Sequence, residues 1–132
     1  MESFKNILVV DDEPLFRELL CSRLSRRNYK MIEAADGPDA LAQAEKIRID
    51  LALVDINLPN MDGIEVLKKL KALDGRIEVI ILTGYSNIEN AIAAMKHGAY
   101  DYLTKPYKLS ELEVVVKRAL EKQQLTQTCA GL

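Results

Sequence analysis

Three carboxylates, a hydroxyl and an ammonium stand at the ends of short apolar runs in this 132-residue chain. Ile7-Leu8-Val9-Val10 runs into Asp11-Asp12, and Leu51-Ala52-Leu53-Val54 into Asp55. Val79-Ile80-Ile81-Leu82 runs into Thr83-Gly84, and Tyr102-Leu103-Thr104 into Lys105-Pro106. If these runs are parallel strands of one sheet, their carboxyl ends lie along one edge and the side chains converge. Carboxylates crowded together repel, and a hard divalent cation relieves that cost. A nearby ammonium and hydroxyl suit the oxygens of a phosphoryl group. Asp55 then becomes a candidate nucleophile, because a carboxylate attacks phosphorus once the phosphoryl charge is neutralised. Each residue alone has a plainer role. Asp55 would cap a loop, Asp11 and Asp12 would favour a helix N-terminus, and Lys105 would be an exposed strand-end lysine.

The elements that must bring these groups together are legible as alternating patterns. Apolar runs at 6–10, 29–34, 51–54, 77–82 and 100–104 alternate with amphipathic segments, which predicts an α/β doubly wound sheet. Helices are expected from about 14 to 27, from the Asp36-Gly37-Pro38 turn onward, from 64 to 73, from a Ser86 cap to Gly98, and from near Ser110. Ser110 and Glu113 have capping-box spacing. The apolar stripes are Phe16, Leu19, Leu20 and Leu24; then Ala40, Leu41, Ala44 and Ile47; then Ile64, Leu67 and Leu70. In the fourth helix they are Ile88, Ala91, Ile92 and Met95, and in the fifth Leu112, Val116, Ala119 and Leu120. Strands one, three and four are unbroken apolar runs, as central strands covered on both faces should be. Strands two and five mix in polar residues and read as edges. Right-handed crossovers then give the order 2-1-3-4-5, flavodoxin-like, with helices on both faces and the ligand crevice between strands one and three.

Bulk composition bounds the function. A chain of 132 residues fits one domain, and 48% hydrophobic content supplies a core. A net charge of −2 gives no general attraction to nucleic acid or an anionic membrane, so no direct nucleic-acid contact is expected. No apolar run nears the roughly 20 residues of a membrane span, and no signal-peptide pattern opens the chain. Cys21 sits among apolar helix positions as a small buried hydrophobe, and Cys129 lies in a polar tail, so no disulfide is expected. These features point to the cytoplasm. His97, the single histidine, falls near a helix end and is assigned no catalytic role. After Lys122 polarity rises and periodicity fades. The expected division is therefore a domain over 1–122 and a tail, or the start of a linker to an effector, over 123–132.

The ordered set Asp11-Asp12, Asp55, Thr83 and Lys105-Pro106, each at its own strand end, resembles the receiver domain of bacterial response regulators. The strings Val-Val-Asp-Asp-Glu (9–13), Asp-Ile-Asn-Leu-Pro-Asn-Met-Asp-Gly (55–63), Leu-Thr-Gly (82–84) and Tyr-Leu-Thr-Lys-Pro (102–106) extend the resemblance over about residues 5–122. The stretch Ala94-Met95-Lys96-His97-Gly98-Ala99-Tyr100-Asp101-Tyr102 is similar to receivers of sigma-54-dependent transcriptional regulators. The resemblance implies a phosphorylation-activated switch in a two-component system. Asp55 is the implied phosphoacceptor, with a sensor histidine kinase as phosphodonor. Mg2+ is the implied cofactor, with Mn2+ able to substitute. It would be held by Asp12, Asp55 and the backbone carbonyl of Asn57, with Asp11 acting through a bound water. Lys105 would pair with phosphoryl oxygens, aimed by a cis Lys105–Pro106 peptide bond. Thr83 would hydrogen-bond the phosphoryl group, Gly84 would leave it room, and Tyr102 would turn inward in response. Asn57 and Tyr85 would modulate phosphoryl lifetime, while Asp62 and Gly63 shape the loop. The surface formed by helix four, strand five and helix five would change, with transcription as the output and a homodimer through that face.

On this reading the chain is not an enzyme, catalysing only its own phosphoryl transfer and dephosphorylation. Two rivals share parts of the chemistry. A Mg2+-dependent aspartyl-phosphate phosphatase would need a further acid, yet Asn57 stands two residues after Asp55, and no inserted cap is evident. A receiver-like docking module independent of phosphorylation would not need all five anchors. A flavodoxin-like cofactor binder would need a Ser/Thr/Gly-rich loop where Asp11-Asp12-Glu13 stands.

Overall fold

The five apolar runs pair as five parallel strands in the computed structural model, which describes residues 4–84, 88–104 and 107–130, with backbone alone at 88 and 124–130. The strands are β1 (Lys5–Val10), β2 (Tyr29–Ala34), β3 (Leu51–Asp55), β4 (Glu78–Thr83) and β5 (Asp101–Thr104). The helices are α1 (Pro14–Ser25), α2 (Gly37–Lys46), α3 (Gly63–Leu73), α4 (Ile88–Lys96) and α5 (Leu109–Ala130). The sheet order is β2-β1-β3-β4-β5, as the strand compositions predict. Strand limits agree with the apolar runs to within a residue.

Alternation along the strands splits the core in two. Leu8, Val10, Ala52, Val54, Val79 and Ile81 face one cluster, closed by Ala40 of α2, Val66, Leu67 and Leu70 of α3, and Ala94 of α4. Ile7, Val9, Leu51, Leu53, Ile80 and Leu82 face the other, closed by Leu20 and Leu24 of α1 and by Leu112, Val116, Ala119 and Leu120 of α5. Every residue of β3 and β4 is therefore buried.

Helix faces differ from the sequence reading in three places. Leu19 of α1 is half exposed, and Cys21 is half-buried rather than buried, its thiol pushed up to about 11 mainly by burial. In α3, Val66 packs deeper than Ile64. In α4, Ala91 is buried as expected and Ala94 is buried beside it, while Ile92 and Met95 are about half exposed. Close approach of α4 to the sheet selects alanine on that side. Gly98 ends this helix as expected. Its φ is +95°, its N–H meets the Met95 carbonyl, and the Ala99 N–H meets the Ala94 carbonyl. Those two bonds form a Schellman motif closed by the buried pair Ala94 and Ala99.

The fifth helix continues past Lys122 without a break, and Gln123 is only 2% exposed. Its amide Nε2 donates to the Asp50 carbonyl at 2.8 Å and the Arg76 carbonyl at 3.2 Å, bridging the starts of β3 and β4. Beside it Lys122 pairs with the buried Glu78 carboxylate at 3.1 Å and lies over the Tyr100 ring. Gln123→Ala removes two hydrogen bonds and opens a small void. It is expected to cost about 2 kcal/mol. A chain ending at Lys122 should lose at least as much. Urea midpoints of the two variants check this, and unchanged midpoints would show that the domain closes before Gln123. Among the described residues, no helix is long and apolar enough to cross a membrane.

Candidate functional site

The acidic corner is assembled by two similar turns on adjacent strands. Asp11 follows β1, and its N–H donates to the Ala34 carbonyl at the end of β2 (3.1 Å). The Asp11 Oδ1 accepts the Glu13 N–H at 2.9 Å, which turns the chain into α1, where Pro14 takes the first helical position. Arg17, one turn into α1, donates to the Asp11 carbonyl at 2.6 Å and pairs with Glu33 of β2 at 2.9 Å. Asp55 ends β3 opposite Leu82, and its Oδ1 accepts the Asn57 N–H at 3.0 Å. The Ile56 N–H extends the ladder one residue, donating to the Leu82 carbonyl at 2.9 Å.

The loop after Asp55 is held at both ends. Asn60 adopts a left-handed φ of 68°, and its side-chain amide donates to Asp36 at 3.2 Å. Asp62 caps α3 by accepting the Glu65 N–H, and the Gly63 N–H donates to the Ile56 carbonyl at 3.0 Å. This return to Ile56 requires glycine. A Cβ on Gly63 would lie 2.5 Å from the Asp55 carbonyl oxygen and 2.7 Å from the Ile56 Cα.

The result is that one ligand oxygen from each of Asp11, Asp12 and Asp55 lies within 4.8 Å of the others. Asp11 and Asp55 are buried, and Asp12 is exposed to solvent. A donor set made wholly of carboxylate oxygens fits a hard divalent cation rather than a soft transition metal. Thr83 ends β4 on the same edge, 6% exposed, beside Thr104 of β5. Among the described residues nothing lies within 4 Å of a Cβ built on Gly84.

Of the residues singled out in the sequence, Asp11, Asp12 and Asp55 come together and Thr83 lies at the same edge. Asn57 is an exposed loop residue next to Asp55, and its N–H serves Asp55. Tyr102 is not part of the acidic cluster. It is 37% exposed and lines a groove of about 440 Å3 with Ala91, Ile92, Met95 and Lys96 of α4. His97 is exposed. Lys105, Pro106, Tyr85 and Ser86 lie outside the described residues. Glu113 is not turned back as a capping-box partner of Ser110. Its carboxylate receives Arg23 and Arg27 of α1, tying α1 to α5 and holding Glu113 below its usual pKa.

Two residues near the corner had no signal in the local sequence. Arg17 acts through partners on β1 and β2, which only the fold brings near. Tyr107 packs edge-on against Phe16, and its phenol pKa is raised by burial first and then by the charges of Asp11 and Asp55.

Comparisons with known proteins agree with this geometry. The family model described as response regulator receiver domain matches residues 7–117. The sporulation initiation phosphotransferase F of Bacillus subtilis is 38% identical over 116 residues, 88% of this chain and 94% of that protein. The regulatory protein AtoC of Escherichia coli is 38% identical over 125 residues, 95% of this chain but 27% of AtoC. A crystal structure of a receiver domain protein from Methanospirillum hungatei superposes with a TM-score of 0.91 at 34% identity, covering 94% of this chain and 99% of that one. The chain thus spans about a quarter of AtoC and nearly all of the sporulation protein. Sheet order, acidic corner and matched span agree, and the chain belongs to the response regulator receiver domain family, the phosphorylation-activated switches of two-component signalling.

Proposed function

We propose that Asp55 is the phosphoacceptor of this receiver and that Asp11, Asp12 and Asp55, with the Asn57 carbonyl, hold Mg2+. The observation that carries this reading is the gathering of three carboxylates from two strand ends within 4.8 Å, beside the buried Thr83. The cation supplies charge neutralisation to a phosphoryl group beside Asp55. An Asp55 carboxylate oxygen attacks phosphorus, the P–N bond of a kinase phosphohistidine breaks, and the imidazole leaves with its electron pair and takes up a proton. The product is an acyl phosphate on Asp55. The Thr83 hydroxyl donates to a phosphoryl oxygen, and Lys105 contributes its ammonium.

Moving a switch from 1:99 to 99:1 needs about 5.5 kcal/mol of differential stabilisation, which a doubly charged group met by these donors supplies. The responding surface is Tyr102 with the exposed Ile92 and Met95 of α4, where a partner or a second copy would dock. By its likeness to AtoC, of which it spans 27%, the receiver would control transcription in the cytoplasm, within a sigma-54-dependent regulator's organisation. Incubation with a small phosphodonor and Mg2+ should add the mass of one phosphoryl group to the peptide holding Asp55. A chelator should slow that addition at least about tenfold. Phosphate on any other residue, or incorporation indifferent to the chelator, contradicts the reading.

A further inference from the structure

Tyr107 holds a buried polar atom that the chemistry above does not use. The residue lies between β5 and α5, and its ring meets Phe16 of α1 edge-on, 6.2 Å between centroids and 65° between planes. This contact sets the ring against α1, the helix that grows directly out of the Asp11–Glu13 turn. The hydroxyl oxygen is buried and has no hydrogen-bond partner among the described residues. Burial, then the charges of Asp11 and Asp55, raise its pKa, so the group stays a neutral O–H donor within the field of both carboxylates. A buried hydroxyl without an acceptor is unfavourable, and phenylalanine would fill the same place without that cost.

We propose that the Tyr107 hydroxyl is a positioning donor of the acidic site, giving a hydrogen bond to an anionic oxygen only when the site is loaded. The acceptor is the Asp11 carboxylate drawn toward a cation, or a phosphoryl oxygen on Asp55. The proposal rests on the reading of this corner as the metal and phosphoryl site. A bond made only in the loaded form strengthens loading and adds nothing to the stability of the unloaded fold. That asymmetry separates it from a structural role.

The test compares the full chain with its Tyr107→Phe variant by calorimetric titration with Mg2+ alone and with Mg2+ plus beryllofluoride, alongside urea unfolding without metal. The variant should unfold at the same or higher urea while binding about fivefold more weakly, the worth of one net hydrogen bond. Loss with Mg2+ alone assigns the bond to Asp11, and loss only with beryllofluoride assigns it to a phosphoryl oxygen. Equal affinities in both titrations overturn the proposal. Unfolding of the variant at lower urea also overturns it, by making the hydroxyl a structural donor. Wild-type chain that binds neither probe brings down the phosphoacceptor reading itself, and this proposal with it.

Discussion

Asp55→Asn is expected to abolish phosphoryl incorporation while making the metal-free protein more stable. The two effects come from the same oxygen atoms. A carboxamide is not a nucleophile toward phosphorus, so transfer should fall below detection with either a kinase or a small phosphodonor. The amide oxygen can still accept the Asn57 N–H that Asp55 Oδ1 accepts at 3.0 Å, so the turn after β3 should survive. What disappears is one negative charge from a group of three within 4.8 Å, at a position only 6% exposed. Relief of that repulsion should raise stability by about 1–3 kcal/mol in chelator. Mg2+ then narrows the gap. At about ten times its Kd it should add about 1.4 kcal/mol to the wild-type chain and little to the variant. Urea midpoints with chelator and with Mg2+ read both terms. A variant that is less stable in chelator, or that gains as much from Mg2+ as wild type, would show that Asp55 is not held against its acidic neighbours.

Much of this arrangement can be read before any coordinates, because its determinants are local. Each central strand is an apolar run stopped by a polar residue, and the stop is the functional side chain. Asp11 and Asp55 are therefore found together with the ends of β1 and β3, and parallel pairing does the rest. Where the determinant is a partner distant in sequence, the pattern is silent. Gln123 looks like tail chemistry until the Asp50 and Arg76 carbonyls are placed against it. Glu113 has the spacing of a helix cap, yet two arginines from α1 take its carboxylate. Ile92 and Met95 share the period of a core stripe with Ala91, but it is Ala94 that lies buried beside Ala91. Hydrophobic periodicity reports that a helix has an apolar side. It does not say whether that side is a core or a docking surface, and α4 carries both. The Lys105–Pro106 step, prominent in the sequence, lies outside the described residues, so its part in the site rests on the family pattern.

Gly63→Ala is expected to be the most destabilising single-methyl change among the described glycines, and it should damage the site as well as the fold. The built Cβ meets backbone, 2.5 Å from the Asp55 carbonyl oxygen and 2.7 Å from the Ile56 Cα, and backbone cannot swing aside as a side chain can. Overpacking a well-filled position costs about 1–3 kcal/mol, and a clash against a central strand belongs at or above the upper end, about 3 kcal/mol or more. Relaxation must move either α3 or the end of β3. Moving α3 strains the Gly63 N–H bond to the Ile56 carbonyl and the Asp62 cap, which together close the loop. Moving the strand end shifts Asp55 relative to Asp11, whose own position is fixed by β2 and by Glu13. Either route loosens the 4.8 Å cluster, so Mg2+ binding should weaken even in the fraction that folds. Two other glycines calibrate the measurement. Gly75→Ala finds only the Lys71 carbonyl oxygen at 3.9 Å and should change stability by no more than about 0.5 kcal/mol. Gly37→Ala meets Met61 and Val66 side-chain atoms at 2.9 Å and should fall between, since methionine can yield. Urea denaturation of the three variants gives the order, and calorimetric Mg2+ titration of Gly63→Ala gives the effect on the site. A Gly63→Ala chain as stable as Gly75→Ala would mean that the close approach of α3 to the end of β3 is not what fixes Asp55.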